Sequence, residues 1–263
     1  MRQRILLLGW LMVWVAIGFG PGALRAQKDA GQVMPQPAQE LLALANRSRA
    51  EQGLGPLKWD DALACAARDH TMRMAVEGPI AHRYGGEDDL STRAGKAGAA
   101  YDLIEENVAV GPNAAEIHDE WMHSPGHRAN LLNADVNRAG IAVVAVRGVF
   151  YATADYTRGV DAMTQQQVET KIASLMRPSG VTILSNSAPA RTACAAEGVL
   201  PVAQGELRPG FVMRWQDSAM NELPKQLGER LASGQYNRAA IGSCSPQNVE
   251  GNFTVYRAAV LLY

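Results

Sequence analysis

The sequence predicts an α+β protein: a helix-rich stretch that ends in strands, followed by a second, smaller α+β region. Three observations carry this. Apolar residues recur at helical spacing between clear helix stops from Pro37 to Gly78. Two alternating runs, "RAGIAVVAV" and "VFYATADYT", meet at Arg147-Gly148, as two strands meet at a tight hairpin. Helices followed by strands, rather than strict alternation of the two, is the α+β pattern. The order then recurs. A helix near Ala162 to Met176 and another near Ser218 to Ala232 precede strands near Arg238 to Ser243 and Phe253 to Leu262. "NRAGIA" at 137 and "NRAAIG" at 237 enter comparable strands, the pattern expected of an incomplete internal duplication.

The 263 residues hold one large domain or two smaller ones. Arg2 and Arg4 precede an apolar run from Ile5 to Phe19, and small residues follow to Ala26. This reads as a secretory signal peptide over 1–26, cut before Gln27. The run is shorter than the ~20 residues a spanning helix needs, so no membrane span is expected after cleavage. Cleavage leaves 22 basic and 26 acidic side chains, a net charge of −4. No basic face marks a nucleic-acid partner. Export permits a disulfide, and of Cys65, Cys194 and Cys244 the last two form the expected pair. Cys65 falls in an Ala-rich helical stretch and reads as a buried small residue.

Along the chain, residues 27–36 read as a flexible lead-in, 37–158 as the first domain and 159–263 as the second. Pro37 suits a first helical turn and Gly53 a stop. Asp60 is a natural N-cap for a second helix ending at Gly78. A short helix is expected near Leu90 to Lys96, and "DLIEENVAVG" reads as extended or irregular. Asn113, with Glu116 three residues on, opens a helix whose inner face carries Ala114, Ile117 and Trp121.

That helix is interrupted inside "WMHSPGHRANLL", at Ser124-Pro125-Gly126-His127. Proline inside a helix loses a hydrogen bond and clashes with the preceding turn, but it fits the first position of a new helix. Ser124 is the expected cap of that new helix, and the break re-aims His127.

All five histidines, His70, His82, His118, His123 and His127, lie in the first half. GxSxG, HExxH, CxxC and phosphate-binding glycine loops are missing, so a nucleophile elbow and a zincin are unsupported. His70 sits on an apolar helical face and is expected to be a hydrogen-bonded core residue. His118 and His123 are five apart, on different faces of a helix, and are expected to face solvent or bond local groups.

The segments "LLALANRSRAEQGLGPLKWDDALACAARDH", "IAHRY", "EENVAVG", "WMHSPGHRANLL" and "NRAGIAVVAV…FYATADY" together resemble the CAP superfamily in its bacterial form. This is the SCP-domain group of cysteine-rich secretory, antigen 5 and pathogenesis-related proteins. The resemblance spans Leu41 to Tyr156. It implies an α-β-α sandwich with a cleft lined by two histidines and acidic residues. Residue by residue, His82 in "IAHRY" matches the first cleft histidine, Glu106 the family's glutamate and His127 in "SPGH" the second histidine. Many eukaryotic members carry glutamate where Ser124 stands, and glycine is usual at Glu105, so the four-residue His-Glu-Glu-His set is incomplete.

Two imidazoles and a carboxylate are also an intelligible site on chemistry alone. His82, Glu106 and His127 suit an open divalent-metal centre, whose N and O ligands zinc (Zn²⁺) would accept, and they equally suit acid-base work near neutral pH. The bland reading is a polar network that orders loops. With Ser124 tied to capping and no other nucleophile in view, the leading expectation is a secreted, non-enzymatic binding module. Its ligand contacts are His82, Glu106, His127 and Ser124, and the resemblance implies a lipid or cell-envelope component as its partner. The alternatives are a metal-assisted hydrolase of peptide or envelope polymer, and a scaffold in which the C-terminal region does the recognising.

Overall fold

The computed structural model describes residues 31–196, 198, 208–245 and 253–263. The expected signal peptide lies outside them. The first unit runs α1 (Pro35–Glu51), β2 (Lys58–Trp59), α2 (Asp61–Glu77), α3 (Leu90–Lys96), β3 (Tyr101–Gly111), α4 (Ala114–His123), α5 (Pro125–Leu131), β4 (Arg138–Val146) and β5 (Val149–Gly159). A short strand β1 (Gln32–Val33) precedes them and pairs with β4. The lead-in therefore ends earlier than its composition suggested. β1 borrows hydrogen bonds from the edge of β4, and α1 starts at Pro35 rather than Pro37.

Local chemistry explains most element ends. The Asp60 carboxylate accepts from the Ala62 and Leu63 amides and caps α2. The Asn113 side chain accepts from the Glu116 amide and caps α4. At the hairpin, Arg147 and Gly148 have φ of 52° and 79°, which matches the right-handed twist of β4 and β5.

The sheet order is β1-β4-β5-β3, with β2 parallel to β4. β3 is thus an edge strand. One face carries Ala139, Ile141, Ala152, Ala154 and Tyr156, packed with Leu41 of α1 and with Ile117 and Trp121 of α4. The other face receives α2. A Cβ on Gly140 would lie 2.1 Å from the Ala64 nitrogen, so only glycine lets α2 rest there. Helices thus cover both faces, and this unit is an α-β-α sandwich.

The second unit has α6 (Gln165–Met176), β6 (Thr182–Ile183), α7 (Ala188–Ala195), β7 (Phe211–Asp217), α8 (Lys225–Ala232), β8 (Arg238–Cys244) and β9 (Tyr256–Leu262). α6 begins with a capping box between Thr164 and Gln167. α8 starts at Lys225 rather than near Ser218, because Pro224 immediately precedes it. β6, β7 and α7 carry no strong periodic signal and emerge only from the fold. The sheet order is β6-β8-β9-β7, with β6 parallel to β8.

This path repeats that of the first unit. In both, a two-residue strand pairs in parallel with the strand opened by Asn-Arg-Ala. Lys58 and Asp60 donate to the Asn137 and Ala139 carbonyls at 3.0 and 2.9 Å. Thr182 and Leu184 donate to those of Asn237 and Ala239 at 2.9 and 2.7 Å. α6 and α8 pack with Ala239 and Ile241 on one face, and α7 packs with Ala240 and Leu261 on the other. Cys194 of α7 is disulfide-bonded to Cys244 at the end of β8, and Cys65 is free. The units touch where the Thr254 amide donates to the Tyr101 carbonyl at 2.7 Å, and where Ser218 bonds Asp102.

Candidate functional site

The site is built on β3. Successive side chains of a strand point to opposite faces, so Glu106 and Asn107 address different helices. Glu106 faces the α2–α3 side and is 2% exposed. One of its oxygens accepts from His82 Nδ1 at 2.8 Å, and the other accepts from the Arg93 guanidinium. His82 belongs to the loop after α2, and its side chain is 60% exposed. Arg93 also donates to the His82 carbonyl at 3.2 Å, so one guanidinium fixes both the loop and the acid. Opposite Glu106 in register on β5 stands Asp155, fully buried.

Asn107 faces the other way and holds the helix break. Its Nδ2 donates to the His127 carbonyl at 2.9 Å. Asn130 donates to the Asn107 Oδ1 at 3.0 Å and to the Glu106 carbonyl at 3.2 Å. These amides seat α5 against β3 and carry His127 to the same strand that carries Glu106. Beneath them Arg49, 1% exposed, donates to the carbonyls of Gly55, Leu131, Asn133 and Val136. It clamps the turn after α1 to the turn after α5.

The two imidazoles differ in charge behaviour. The hydrogen bond to Glu106 raises the His82 pKa above the ordinary imidazole value, against partial burial and the nearby Arg93. Burial, and then the charge of His82, lowers that of His127, with Glu120 opposing. The Nδ1 atom of His127 is buried without a hydrogen-bond partner.

Three expectations change. Ser124 stands at the N-cap position of α5 with extended backbone, but its hydroxyl makes no capping hydrogen bond. Its carbonyl accepts from the Arg128 amide at 2.8 Å instead. His118 does not face solvent. It lies half-buried between α1 and α4, where its Nε2 and the Ser48 hydroxyl share a 3.1 Å hydrogen bond. The alternative of a three-ligand zinc centre at His82, Glu106 and His127 is not favoured by these positions. Both Glu106 oxygens are engaged by Arg93 and His82, and among the described residues no three His, Cys, Asp or Glu side chains are grouped to hold a metal. What fits is a carboxylate orienting a histidine from behind, as outer-shell acids do, with His82 Nε2 left open.

Other readings hold. His70 is buried and bonded to Glu87 at 2.7 Å and to the Ala81 carbonyl at 3.0 Å. Trp121 is core, donating to the Val108 carbonyl. Exposed His123 bonds the Asp119 carbonyl. Arg93 and Asp155 were not singled out from the sequence. Arg93 has no local signal. Asp155 had one: an acid in the middle of a strand whose neighbours on both sides are apolar.

The model of the cysteine-rich secretory protein (CAP) family matches residues 42–156. That segment is a CAP domain. It is 32% identical over 110 residues to the uncharacterized protein YkwD of Bacillus subtilis, covering 40% of this chain and 42% of that protein. It is 32% identical over 112 residues to the uncharacterized membrane protein YlbC of the same organism, covering 40% of this chain and 31% of that protein. The chain thus spans less than half the length of these two relatives. Among solved structures, an outer surface protein of Borrelia burgdorferi aligns with a TM-score of 0.46 at 20% identity, covering 49% of this chain and 98% of that one. An extracellular SCP-domain protein of Bacillus anthracis aligns with a TM-score of 0.43 at 25% identity, covering 54% of this chain and 44% of that one. Among the described residues no helix is long and apolar enough to cross a membrane. In this CAP domain, the second histidine sits on a helix restarted by proline, as "SPGH" suggested.

Proposed function

We propose that this is an exported, non-enzymatic CAP-domain binding module, whose cleft beside β3 takes a lipid or other cell-envelope component through an anionic or hydrogen-bond-accepting group. The observation that carries this is the exposed His82 ring, whose Nδ1 is fixed by a buried carboxylate. That arrangement presents Nε2 outward and favours the protonated, donating imidazole. His127 supplies a second ring whose Nδ1 lacks a partner. Glu106 is committed to Arg93 and His82, which argues against its service as a free general base. Export rests on the Arg-led apolar leader in the sequence.

The test is native mass spectrometry and lipid extraction on the purified protein, with His82→Ala plus His127→Ala as the comparison. Bound phospholipid or envelope fragment that disappears in the double variant supports the reading. Equal loading of both proteins rejects it.

A second reading is favoured by the orphaned His127 Nδ1 and the open His82 Nε2: a divalent metal held by the two imidazoles, with Glu106 behind His82. Zinc titration of the same two proteins decides it, and identical isotherms exclude it.

A further inference from the structure

The second unit shows what the first would be without its chemistry. Matching the strands by their shared hydrogen bonds sets Asn137-Arg138-Ala139 on Asn237-Arg238-Ala239. The next column across the first sheet is Gly140, Asp155 and Glu106. The matching column of the second is Ala240, Leu261 and Val212. Both columns face the helix that follows the short parallel strand. In the second unit that column is apolar, with Ala190, Ala193 and Cys194 packed on Ala240, Ala259 and Leu261; the first charged side chain on that face is Arg257, which donates to the Cys194 carbonyl. In the first it is polar. Thr71 donates to Thr153, and Asp155 lies beside Glu106 with Arg93 close by.

The chain path therefore closes with an apolar layer at this place, and the polar layer is not demanded by the topology. It is costly as well. Neither oxygen of Asp155 meets a donor, and burying an unbonded polar group opposes folding. The group facing Asp155 is the Glu106 carboxyl, so a proton shared between the two acids is the hydrogen bond open to it. Two carboxyl groups facing each other at this depth cannot both ionise without a large penalty, so one of them keeps its proton. Costly features that a fold does not need collect where function needs them.

We propose that Asp155 is a positioning residue of the cleft. It donates to Glu106 from below, while Arg93 holds the same carboxylate from the side, so that the free direction of Glu106 is toward His82 Nδ1. This rests on the binding-module reading for its purpose, but not for its test. The groups facing Glu106 are Asp155 of β5, Arg93 of α3 and His82 of the loop after α2. The charges of His82 and of Glu120 on α4 act in opposite senses on His127 of α5.

The experiment uses the full chain, metal-stripped with chelator and without added ligand. It compares Asp155→Leu, which installs the residue of the second unit, with Asp155→Asn, which keeps a donor. The readouts are thermal unfolding and the low-field Nδ1–H proton signal of His82 in the NMR spectrum. The expected result is that Asp155→Leu unfolds no earlier than the parent and loses or broadens the His82 signal, while Asp155→Asn retains it. Three outcomes overturn the proposal. The His82 signal is unchanged in Asp155→Leu; or Asp155→Leu unfolds the domain, making the acid a requirement of the fold; or Asp155→Asn loses the signal as Asp155→Leu does. Absence of ligand from the parent protein sinks the binding reading but leaves these readouts unaffected.

Discussion

The Nδ1 atom of His82 lies 2.8 Å from Oε1 of Glu106, joining a side chain that is 60% exposed to one that is 2% exposed. A buried acid thereby sets the charge of a surface ring. His82 titrates above its unfolded value of about 6.5. The pair's contribution to stability is therefore fully present below about pH 6.5, and is lost as pH rises through the raised folded value. Glu106→Gln should return the His82 midpoint toward the ordinary value and flatten this pH dependence. NMR titration of the ring and urea unfolding at mildly acid and mildly basic pH check both. An unmoved midpoint would show that the bond does not form in solution.

His127 behaves in the opposite sense. Burial lowers its folded pKa, so its contribution is present above about pH 6.5 and is lost as pH falls toward the lower folded value. His127→Phe should reduce the acid-side loss of stability, read as a smaller shift in the urea midpoint between neutral and acid pH.

Arg49 is a structural clamp rather than a surface cation. Four carbonyls, on Gly55, Leu131, Asn133 and Val136, accept from it within 3.0 Å. Each buried acceptor left unsatisfied costs roughly 1–3 kcal/mol, so Arg49→Met should destabilise by about 3–5 kcal/mol after partial relaxation. Arg49→Lys should rescue little, because one ammonium cannot reproduce a planar fork of donors. Denaturant midpoints measure both.

Two positions compare capping directly. Asp60 accepts from two amides of α2, whereas the Ser124 hydroxyl makes no capping bond to α5. Asp60→Ala should cost about 1 kcal/mol and Ser124→Ala well under half of that. Equal costs in thermal unfolding would mean that Ser124 caps in solution.

Close approach makes Gly140 and Gly242 irreplaceable. A Cβ at Gly140 would lie 2.2 Å from the Leu63 carbonyl carbon, and one at Gly242 would lie 2.1 Å from the Arg191 nitrogen. Alanine at either should destabilise its own unit by about 1–3 kcal/mol or more, since backbone must shift to admit it. The second unit carries an additional restraint. The Cys194–Cys244 bond closes a 50-residue separation, so its removal by paired alanines should cost roughly 4 kcal/mol in the chain-entropy account. Thiol counting on the unfolded, unreduced protein should find one thiol, at Cys65.

What the chain alone determined is local. Asp60, Asn113 and the Arg147-Gly148 turn place their elements because capping and turn chemistry act over three or four residues. Pro125 ends one helix and opens the next for the same reason. The motifs around His82, Glu106 and His127 marked the candidate site, and "NRAGIA" beside "NRAAIG" marked the repeated path. Tertiary structure alone decided what those side chains do. Arg93 reaches Glu106 across 13 positions and Arg49 reaches Val136 across 87, and no periodicity encodes a contact of that span. The roles of Glu106 and Ser124 changed on folding. Arg93 and His82 each engage one oxygen of the Glu106 carboxylate, and the Ser124 side chain leaves the helix end uncapped. A residue's type states which bonds it is able to make, and the packing of distant strands and helices chooses among them.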